Sequence, residues 1–281
     1  MKPRSWAAVW LCARQELRLS VRSRWTQTFT VVFAALALAV SASGYVLSGG
    51  SGIQDFARTA ASLVQLVLLL VPLTSLLFGV MALTPDAGAA ELLFSQPIAR
   101  QTVLAGRLLG VFLAIVSAQS IGFGAAGLVL FARTGQEGVA SFLGVVGGAF
   151  VLTAVFLGLA ALVAAGGAST RRARNLALVL VIWFVAVVLF DVAALGVASL
   201  LPSGLASRVL MVAAIVNPVD AVRTGTLLVV EGPTAFGAAS LAFLRFTGGA
   251  AGATFWLGAS VLAWILAPLS AAVVKLNRAD I

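Results

Sequence analysis

Few side chains in this 281-residue sequence could carry out chemistry. It contains no histidine and only one cysteine, Cys12, which excludes HExxH zinc sites, Ser/His/Asp triads, haem ligation by histidine and intrachain disulfides. Its two lysines, Lys2 and Lys275, do not end a GxxxxGK[ST] run, so a Walker A nucleotide site is also excluded. The three methionines are too scattered for a path of soft metal ligands. We therefore expect no catalytic residue, metal site or cofactor on this chain.

The remaining charged and turn-forming residues of interest fall into two groups. The first lies in or beside segment 84–105, which follows the second long apolar run, and is joined by two arginines of the N-terminal segment. Its members are Asp86, Gly88, Glu91, Pro97, Arg100, Arg107, Arg14 and Arg18. The second group lies in the fifth apolar run and in segment 201–247 after it. Its members are Asp191, Asn217, Pro218, Asp220 and Arg223.

The composition identifies the solvent of the chain as lipid. Hydrophobic residues make up 61% of the sequence and charged residues only 10%, against about 25% charged in soluble domains. The mean hydropathy is +1.10. A soluble core of this size could not bury so much apolar surface, so a water-soluble enzyme or binding module is excluded. The basic excess, 18 Lys and Arg against 9 Asp and Glu, is better explained as topological signals at a membrane than as a nucleic-acid surface.

Six apolar runs are each long enough to cross a bilayer as a helix, which takes about 20 residues. We place these spans at 27–48, 60–83, 106–132, 140–167, 175–200 and 249–274. The predicted fold is all-α: a polytopic protein of the inner membrane, with one transmembrane domain over residues 1–281. With both termini in the cytoplasm, 13 of the 18 basic residues are cytoplasmic, as the positive-inside rule requires.

Segment 1–25 is predicted to be an amphipathic helix that lies in the membrane interface. On a helical wheel, one third of the circumference is apolar and a basic stripe lies beside it. The apolar members are Trp6, Trp10, Ala13, Leu17 and Val21, and the basic members are Arg14, Arg18 and Arg22. Tryptophan at the headgroup boundary beside arginine is typical of an interfacial helix.

Asp191 is the only acid inside a predicted span. A charge at that depth costs at least about 2.5 kcal/mol, so it should pair with a cation, be protonated, or face protein or water. Two interpretations stay open: a gating or substrate-path residue, and a structural hydrogen bond near the outer end of the fifth span. Arg208 and Arg223 are candidate partners. They belong to segment 201–247, whose apolar pieces are too short to cross; we expect short helices at the outer surface or dipping back into it.

Glycine spacings inside the spans predict close helix packing rather than ligand binding. Gly122 to Gly127 match G-x-G-x-x-G, but the dinucleotide fingerprint needs a preceding strand and an aqueous helix start. In lipid, glycine instead lets helix backbones approach each other. The GxxxG pairs Gly144/Gly148 and Gly248/Gly252 are expected to do the same.

Segment 84–105 carries a recognisable pattern. Asp86 follows Pro85, which is typical of a helix N-terminus, and the short helix is expected to stop before Pro97. Asp86-x-Gly88, Leu92-Leu93, Pro97-x-x-Arg100 and Gly106-Arg107 resemble the coupling-helix segment of type-2 ABC transporter permeases. The C-terminal half is similar to permeases of the ABC system that matures copper-containing nitrous oxide reductase. That similarity is carried by Trp183, Phe190 to Gly196, Asn217-Pro218-x-Asp220-x-x-Arg223, Trp256 to Trp264 and Pro268-Leu269.

The resemblance implies a membrane-spanning subunit without catalytic activity of its own. In that family a separate cytoplasmic ATPase binds ATP and magnesium, and two permeases, here expected as a homodimer, work with two ATPases. The implied ATPase contacts are the residues of the first group, and the outer segment with the second group would either report the ATPase-driven movement outside or gate an exit. Two outcomes remain open: export of an amphipathic substrate, and mechanical transmission to a periplasmic accessory protein. A passive pore or scaffold, or less readily a membrane-embedded enzyme, is the alternative from another class.

Overall fold

The computed structural model describes residues 3–48, 52–84, 99–134, 138–166, 172–232 and 238–278. Within these ranges the chain is helical, apart from short turns, and has no strand. The helices are α1 (Pro3–Arg22), α2 (Arg24–Ser48), α3 (Gly52–Leu83), α4 (Arg100–Thr134), α5 (Val139–Ala165), α6 (Arg172–Ser199), α7 (Ser203–Val216), α8 (Pro218–Glu231), α9 (Ala238–Thr247) and α10 (Ala250–Arg278). The all-α prediction is confirmed for this part of the chain.

Six of these helices, α2 to α6 and α10, are long and apolar enough to cross a membrane, as predicted from the sequence. Several extend past the predicted spans; α4, for example, begins at Arg100 rather than at residue 106. The extension has a physical reason, since backbone hydrogen bonding continues into the headgroup region after the apolar run has ended. We call the end of the bundle with Arg24, Leu83, Arg100 and Arg278 the base, and the opposite end the top.

The core of the bundle is built around α5, the most buried of the six spans. It packs against α3, α8 and α10, and Leu152, Phe156 and Ala160 are completely buried. By contrast, α6 is the least buried of the six spans in the isolated chain. Its Trp183 indole donates a hydrogen bond to the Leu69 carbonyl of α3 at 3.0 Å.

The predicted glycine contacts are confirmed at one pair and wrong at the other. A Cβ on Gly144 would lie 2.9 Å from Val229, and one on Gly148 would lie 2.6 Å from Thr226, so α8 packs closely on α5 there. Gly248 instead lies in the turn between α9 and α10, with φ of 85°, and Gly252 faces the Thr247 carbonyl. A positive φ costs glycine little, so this pair permits a tight turn rather than a helix interface.

In the G-x-G-x-x-G run, Gly122 and Gly127 adjoin aromatic rings of neighbouring helices, as packing glycines should. A Cβ on Gly122 would lie 2.5 Å from Phe33, and one on Gly127 would lie 3.2 Å from Phe142. Gly124 is different, since nothing lies within 4 Å of a Cβ at that position. The run therefore contributes two packing positions and one exposed position.

Helix α1 packs on α4 through two glycines one turn apart. A Cβ on Gly106 would lie 2.5 Å from the Cβ of Cys12, and one on Gly110 would lie 2.6 Å from the Ala13 carbonyl oxygen. Ala13 is fully buried there, whereas Trp6 and Trp10 are 64% and 57% exposed. The predicted apolar face of α1 is thus divided: Ala13 contacts protein, and the two tryptophans remain free to contact lipid.

This contact predicts the effect of widening Gly110. Gly110→Val should separate α1 from α4 and destabilise their packing by about 1–3 kcal/mol, because the added methyls overlap backbone. The native Cys12 thiol, half-buried beside Gly106, should then react faster with a maleimide. Gly124→Val is the matched control on the same helix, since its added atoms meet open space. Equal labelling rates in both variants would contradict this packing.

Candidate functional site

The two groups of predicted site residues lie at opposite ends of the bundle. Of the first group, Asp86, Gly88, Glu91 and Pro97 lie outside the described residues. Arg14, Arg18, Arg100 and Arg107 are described, and all belong to helices at the base. The whole second group is described and lies where α6, α7 and α8 meet.

Arg107 connects the end of α3 to α1. Its guanidinium donates to the Ala82 carbonyl oxygen at 3.3 Å, and its Nε lies 3.6 Å from a carboxylate oxygen of Glu16. Ala82 belongs to the last turn of α3, where carbonyl groups lack helical partners and the helix dipole favours a positive charge. Burial raises the pKa of the Glu16 carboxyl, and the Arg107 charge opposes that rise. Arg107 therefore stabilises two helices at once.

Arg100 makes the equivalent contact with the last span. Its guanidinium donates to the Leu276 carbonyl oxygen at 3.3 Å, in the final turn of α10. The neighbouring Gln101 amide donates to the Asn277 side-chain oxygen, also at 3.3 Å. Segment 85–98 therefore lies between two helix ends that each contact another helix. Before the segment, Ala82 at the end of α3 accepts a hydrogen bond from Arg107. After it, Arg100 at the start of α4 donates to the end of α10.

Arg14 and Arg18 are exposed on α1. They stand on the surface at the base, whereas Glu16, between them in sequence, faces inward to Arg107. The structure thus separates the first group into arginines that join helices and arginines that remain accessible to another molecule.

At the top, α7 and α8 form a bent hairpin that enters the bundle and returns. Their axes differ by 98°. Ser203 follows closely after the upper end of α6, and the Val230 carbonyl accepts a hydrogen bond from Ser141 near the upper end of α5, so both ends of the hairpin lie at the top. The Asn217 amide contacts Ala186, which at about 1.5 Å per residue lies about 20 Å below Ser199. The hairpin therefore enters and leaves the bundle at the same end.

Asn217 and Pro218 account for the bend. Pro218 has no N–H for the helix to use and biases the preceding residue towards extended backbone, and Asn217 has φ −80° and ψ 123°. Asn217 then caps α8, because its side-chain oxygen accepts from the Val219 N–H at 3.1 Å. On the other side of the bend, Trp264 of α10 donates to the Val216 carbonyl at 2.8 Å, and Ser260 donates to the Ile215 carbonyl. These bonds satisfy two carbonyl groups and one N–H group at the tip.

The same asparagine connects the hairpin to α6. Its amide nitrogen donates to the Ala186 carbonyl at 2.9 Å and to a carboxylate oxygen of Asp220 at 3.1 Å. Ala186 belongs to a π-helical turn, Val185–Leu189, inside α6. Such turns alter the regular carbonyl ladder of a span and are frequent at functional sites. Asn217 is 3% exposed, so this bond is made inside the protein.

Arg223 completes the cluster with two ion pairs. One guanidinium nitrogen lies 2.9 Å from Asp191 of α6, and the other lies 2.9 Å from Asp220 of its own helix. Of the two partners predicted for Asp191, Arg223 is therefore confirmed. A cavity of about 220 Å³ adjoins the three charges and opens between α6, α7 and α8. Asp191, Asn217, Pro218, Asp220 and Arg223 form one connected site, which we call the hairpin cluster.

Some participants were missed by the sequence analysis. Glu16 pairs with Arg107 across a long stretch of chain, and only its place among the arginines of α1 could have suggested it. Ser260 carries no pattern of its own, and Trp264 was noted without a role. Gln119 donates to Thr153 at 2.9 Å between α4 and α5, a buried polar contact that neither residue predicts alone. Among the described residues, no three His, Cys, Asp or Glu side chains form a group that could bind a metal.

The hairpin cluster predicts an asymmetric mutational response. Arg223→Met leaves two carboxylates close together without their cation, so it should destabilise the fold by about 1–3 kcal/mol. The triple variant Arg223→Met, Asp191→Asn, Asp220→Asn removes all three charges and should recover most of that loss. Thermal unfolding in detergent measures both variants. A triple variant as unstable as the single one would contradict a charge-balanced cluster.

The comparisons with known proteins agree with this architecture. Residues 10–281 match the family described as ABC-2 family transporter protein. A probable ABC transporter permease protein, NosY, of Pseudomonas aeruginosa is 33% identical over 240 residues, which covers 83% of this chain and 86% of the relative. The corresponding protein of Stutzerimonas stutzeri is 32% identical over 240 residues, with the same coverage of both chains. With six membrane-spanning helices and a match over nearly its whole length, the chain belongs to the ABC-2 family of transporter permeases.

Proposed function

We propose that this permease subunit transmits ATP-driven movement of a separate ATPase from the base of the bundle to the hairpin cluster at the top, and from there to a periplasmic partner. The chain then crosses the inner membrane of a bacterium, with the base facing the cytoplasm. Most basic residues of the sequence belong to the base, which the positive-inside rule supports. ATP and magnesium are bound by the ATPase, not by this chain.

The observation that carries the proposal is the pair of connections on either side of segment 85–98. Arg107 bonds the end of α3 to α1, and Arg100 bonds the start of α4 to the end of α10. A force applied to the segment between them would therefore reach four helices. Asp86, Gly88, Glu91 and Pro97 would make the contact with the ATPase, with Arg14 and Arg18 as exposed supporting contacts on α1.

The hairpin cluster is a suitable receiver of that movement. It joins α6 to α8 through Arg223 and Asp191, and Trp264 joins the hairpin to α10. Since α10 is bonded to Arg100 at the base, one continuous helix connects the two ends. A displacement of α10 would move the tip of the hairpin and the top-side helices with it. This arrangement favours transmission to an accessory protein, as metalloenzyme maturation would require, over a purely passive pore.

The working unit is proposed to contain two copies of the chain and two ATPases. Helix α6 supports this, because it is the least buried span of the single chain and exposes Val181, Phe184 and Val192 on an apolar face. A second copy of the permease would cover such a face within the membrane by van der Waals packing. The chain itself then supplies no catalytic residue.

The ATPase contact is tested by reversing two charges. Asp86→Arg with Glu91→Arg should abolish stimulation of the ATPase by the permease, because both acids are proposed to lie against it. Insertion into the membrane should be unchanged. Reconstituted vesicles with the purified ATPase give the stimulated rate, and protease protection gives the insertion.

The matched control is Asp55→Arg, which reverses an acid near the upper end of α3. It should leave stimulation intact. Unchanged stimulation in the double variant would refute the assignment of segment 84–105, and failure of the ATPase to copurify with the unmodified chain would favour the pore or scaffold alternative.

A further inference from the structure

The base of the bundle contains an apolar cleft that the permease mechanism above does not use. It lies between α4, α5 and α10 and has a volume of about 440 Å³. Leu104, Leu108 and Phe112 form one wall, Ala154 and Gly158 form the floor, and the α10 side is formed mainly by leucine, isoleucine and valine. Gln101 is its only polar lining residue, at the end nearest the surface of the base.

The length of the cleft matches one leaflet of a bilayer. From Gln101 to Phe112 it follows α4 for about 16 Å, at about 1.5 Å per residue. The hydrocarbon core of a bilayer is about 30 Å thick, and the cleft extends into the base-side half of it from the headgroup region, which holds the part of α4 before residue 106. An acyl chain that enters from the headgroup region at the base would reach the inner end of the cleft near the middle of the membrane.

The end of the cleft at the base, where Gln101 lies, is positively charged. Lys275 lies just beyond Val273, a lining residue, and its ammonium group would be 3.4 Å from a Cβ on Gly166 at the end of α5. Lys275 is exposed and forms no ion pair with a described residue. Glu16, the only acid among the described side chains at the base, is paired with Arg107. A negatively charged group would therefore be attracted to this end of the cleft.

We propose that the cleft binds one acyl chain of an anionic glycerophospholipid, with the lipid phosphate beside Lys275 and Gln101. The apolar walls exclude a polar ligand, and the length fits the chain of a lipid in the adjacent leaflet. The ammonium group of Lys275, which pairs with no acid among the described residues, distinguishes an anionic headgroup from a zwitterionic one. Bound there, the lipid contacts α4, α5 and α10 next to the Arg100 contact with Leu276.

Native mass spectrometry of the full-length protein in detergent tests the site, with phosphatidylglycerol and phosphatidylcholine of identical chains as probes. The unmodified protein should retain phosphatidylglycerol in preference to phosphatidylcholine. Lys275→Gln should weaken phosphatidylglycerol binding by about fivefold, the effect expected of one basic residue near a membrane surface. Arg174→Gln is the matched control, since it also removes an exposed base-side charge but does not line the cleft.

The cleft itself is tested by filling it. Ala154→Leu should abolish retention of the lipid, whereas Ala132→Leu, at an exposed position near the upper end of α4, should not. If Ala154→Leu does not fold, Ala105→Leu fills the same cleft from its exposed rim. Equal retention of both lipids by the unmodified protein, equal effects of Lys275→Gln and Arg174→Gln, or full retention in the filled variant would each overturn the proposal.

Discussion

The structure depends on a constraint of the membrane: backbone polar groups at bilayer depth must find partners within the protein. The tip of the hairpin breaks the helix at Asn217 and Pro218, well inside the bundle, and so leaves carbonyl and amide groups without helical partners. Trp264, Ser260 and the Asn217 side chain supply partners for the Val216 and Ile215 carbonyls and the Val219 N–H. These contacts offset the free-energy cost of the unpaired backbone groups at the break, and contacts of the same residues join the hairpin to α6 and α10.

Backbone groups at the base also have side-chain partners, but close to water rather than at bilayer depth. Here the spans end near water, and arginines rather than a tryptophan and an asparagine bond the last carbonyl groups of α3 and α10. Each arginine comes from α4, which thereby contacts the ends of two other spans. Glycines on α4 let α1 approach closely enough for Glu16 to reach Arg107. Bonded helix ends at the base, and bonded backbone groups at the tip of the hairpin, thus belong to the two polar sites of the bundle.

Much of this fold could be predicted from the sequence, for reasons that particular residues make clear. Apolar runs identify the six spans because any helix in lipid needs that length, and Asp191 stands out because a lone acid in a span requires a partner. Short helices were expected in segment 201–247, but the position and depth of the break at Asn217 and Pro218 were not predicted, because α7 and α8 are each too short to be identified as a span. The π-helical turn at Val185–Leu189 could not be predicted, because its five aliphatic residues are equally typical of a regular α-helical span.

Contacts between distant residues were harder to predict than the helices themselves. Arg107 was expected at the ATPase contact, but its guanidinium is bonded to Ala82 and Glu16, and nothing in their separate local patterns indicates that meeting. The spacing of Gly106 and Gly110, which places two small residues one turn apart on the same face of α4, indicates a close helix approach there but not its partner.

The central claim is that the base and the hairpin move together, and a distance measurement tests it most directly. Spin labels at Leu143 and Leu205, both exposed near the top, would be introduced in a Cys12→Ser background of the reconstituted permease–ATPase complex. The distance between them should change when ATP is bound. Asn217→Asp keeps the oxygen that caps α8 but removes the N–H donor to Ala186; it should reduce that change while the ATPase still hydrolyses ATP. An unchanged distance in the unmodified complex, or the same change in Asn217→Asp, would contradict the account.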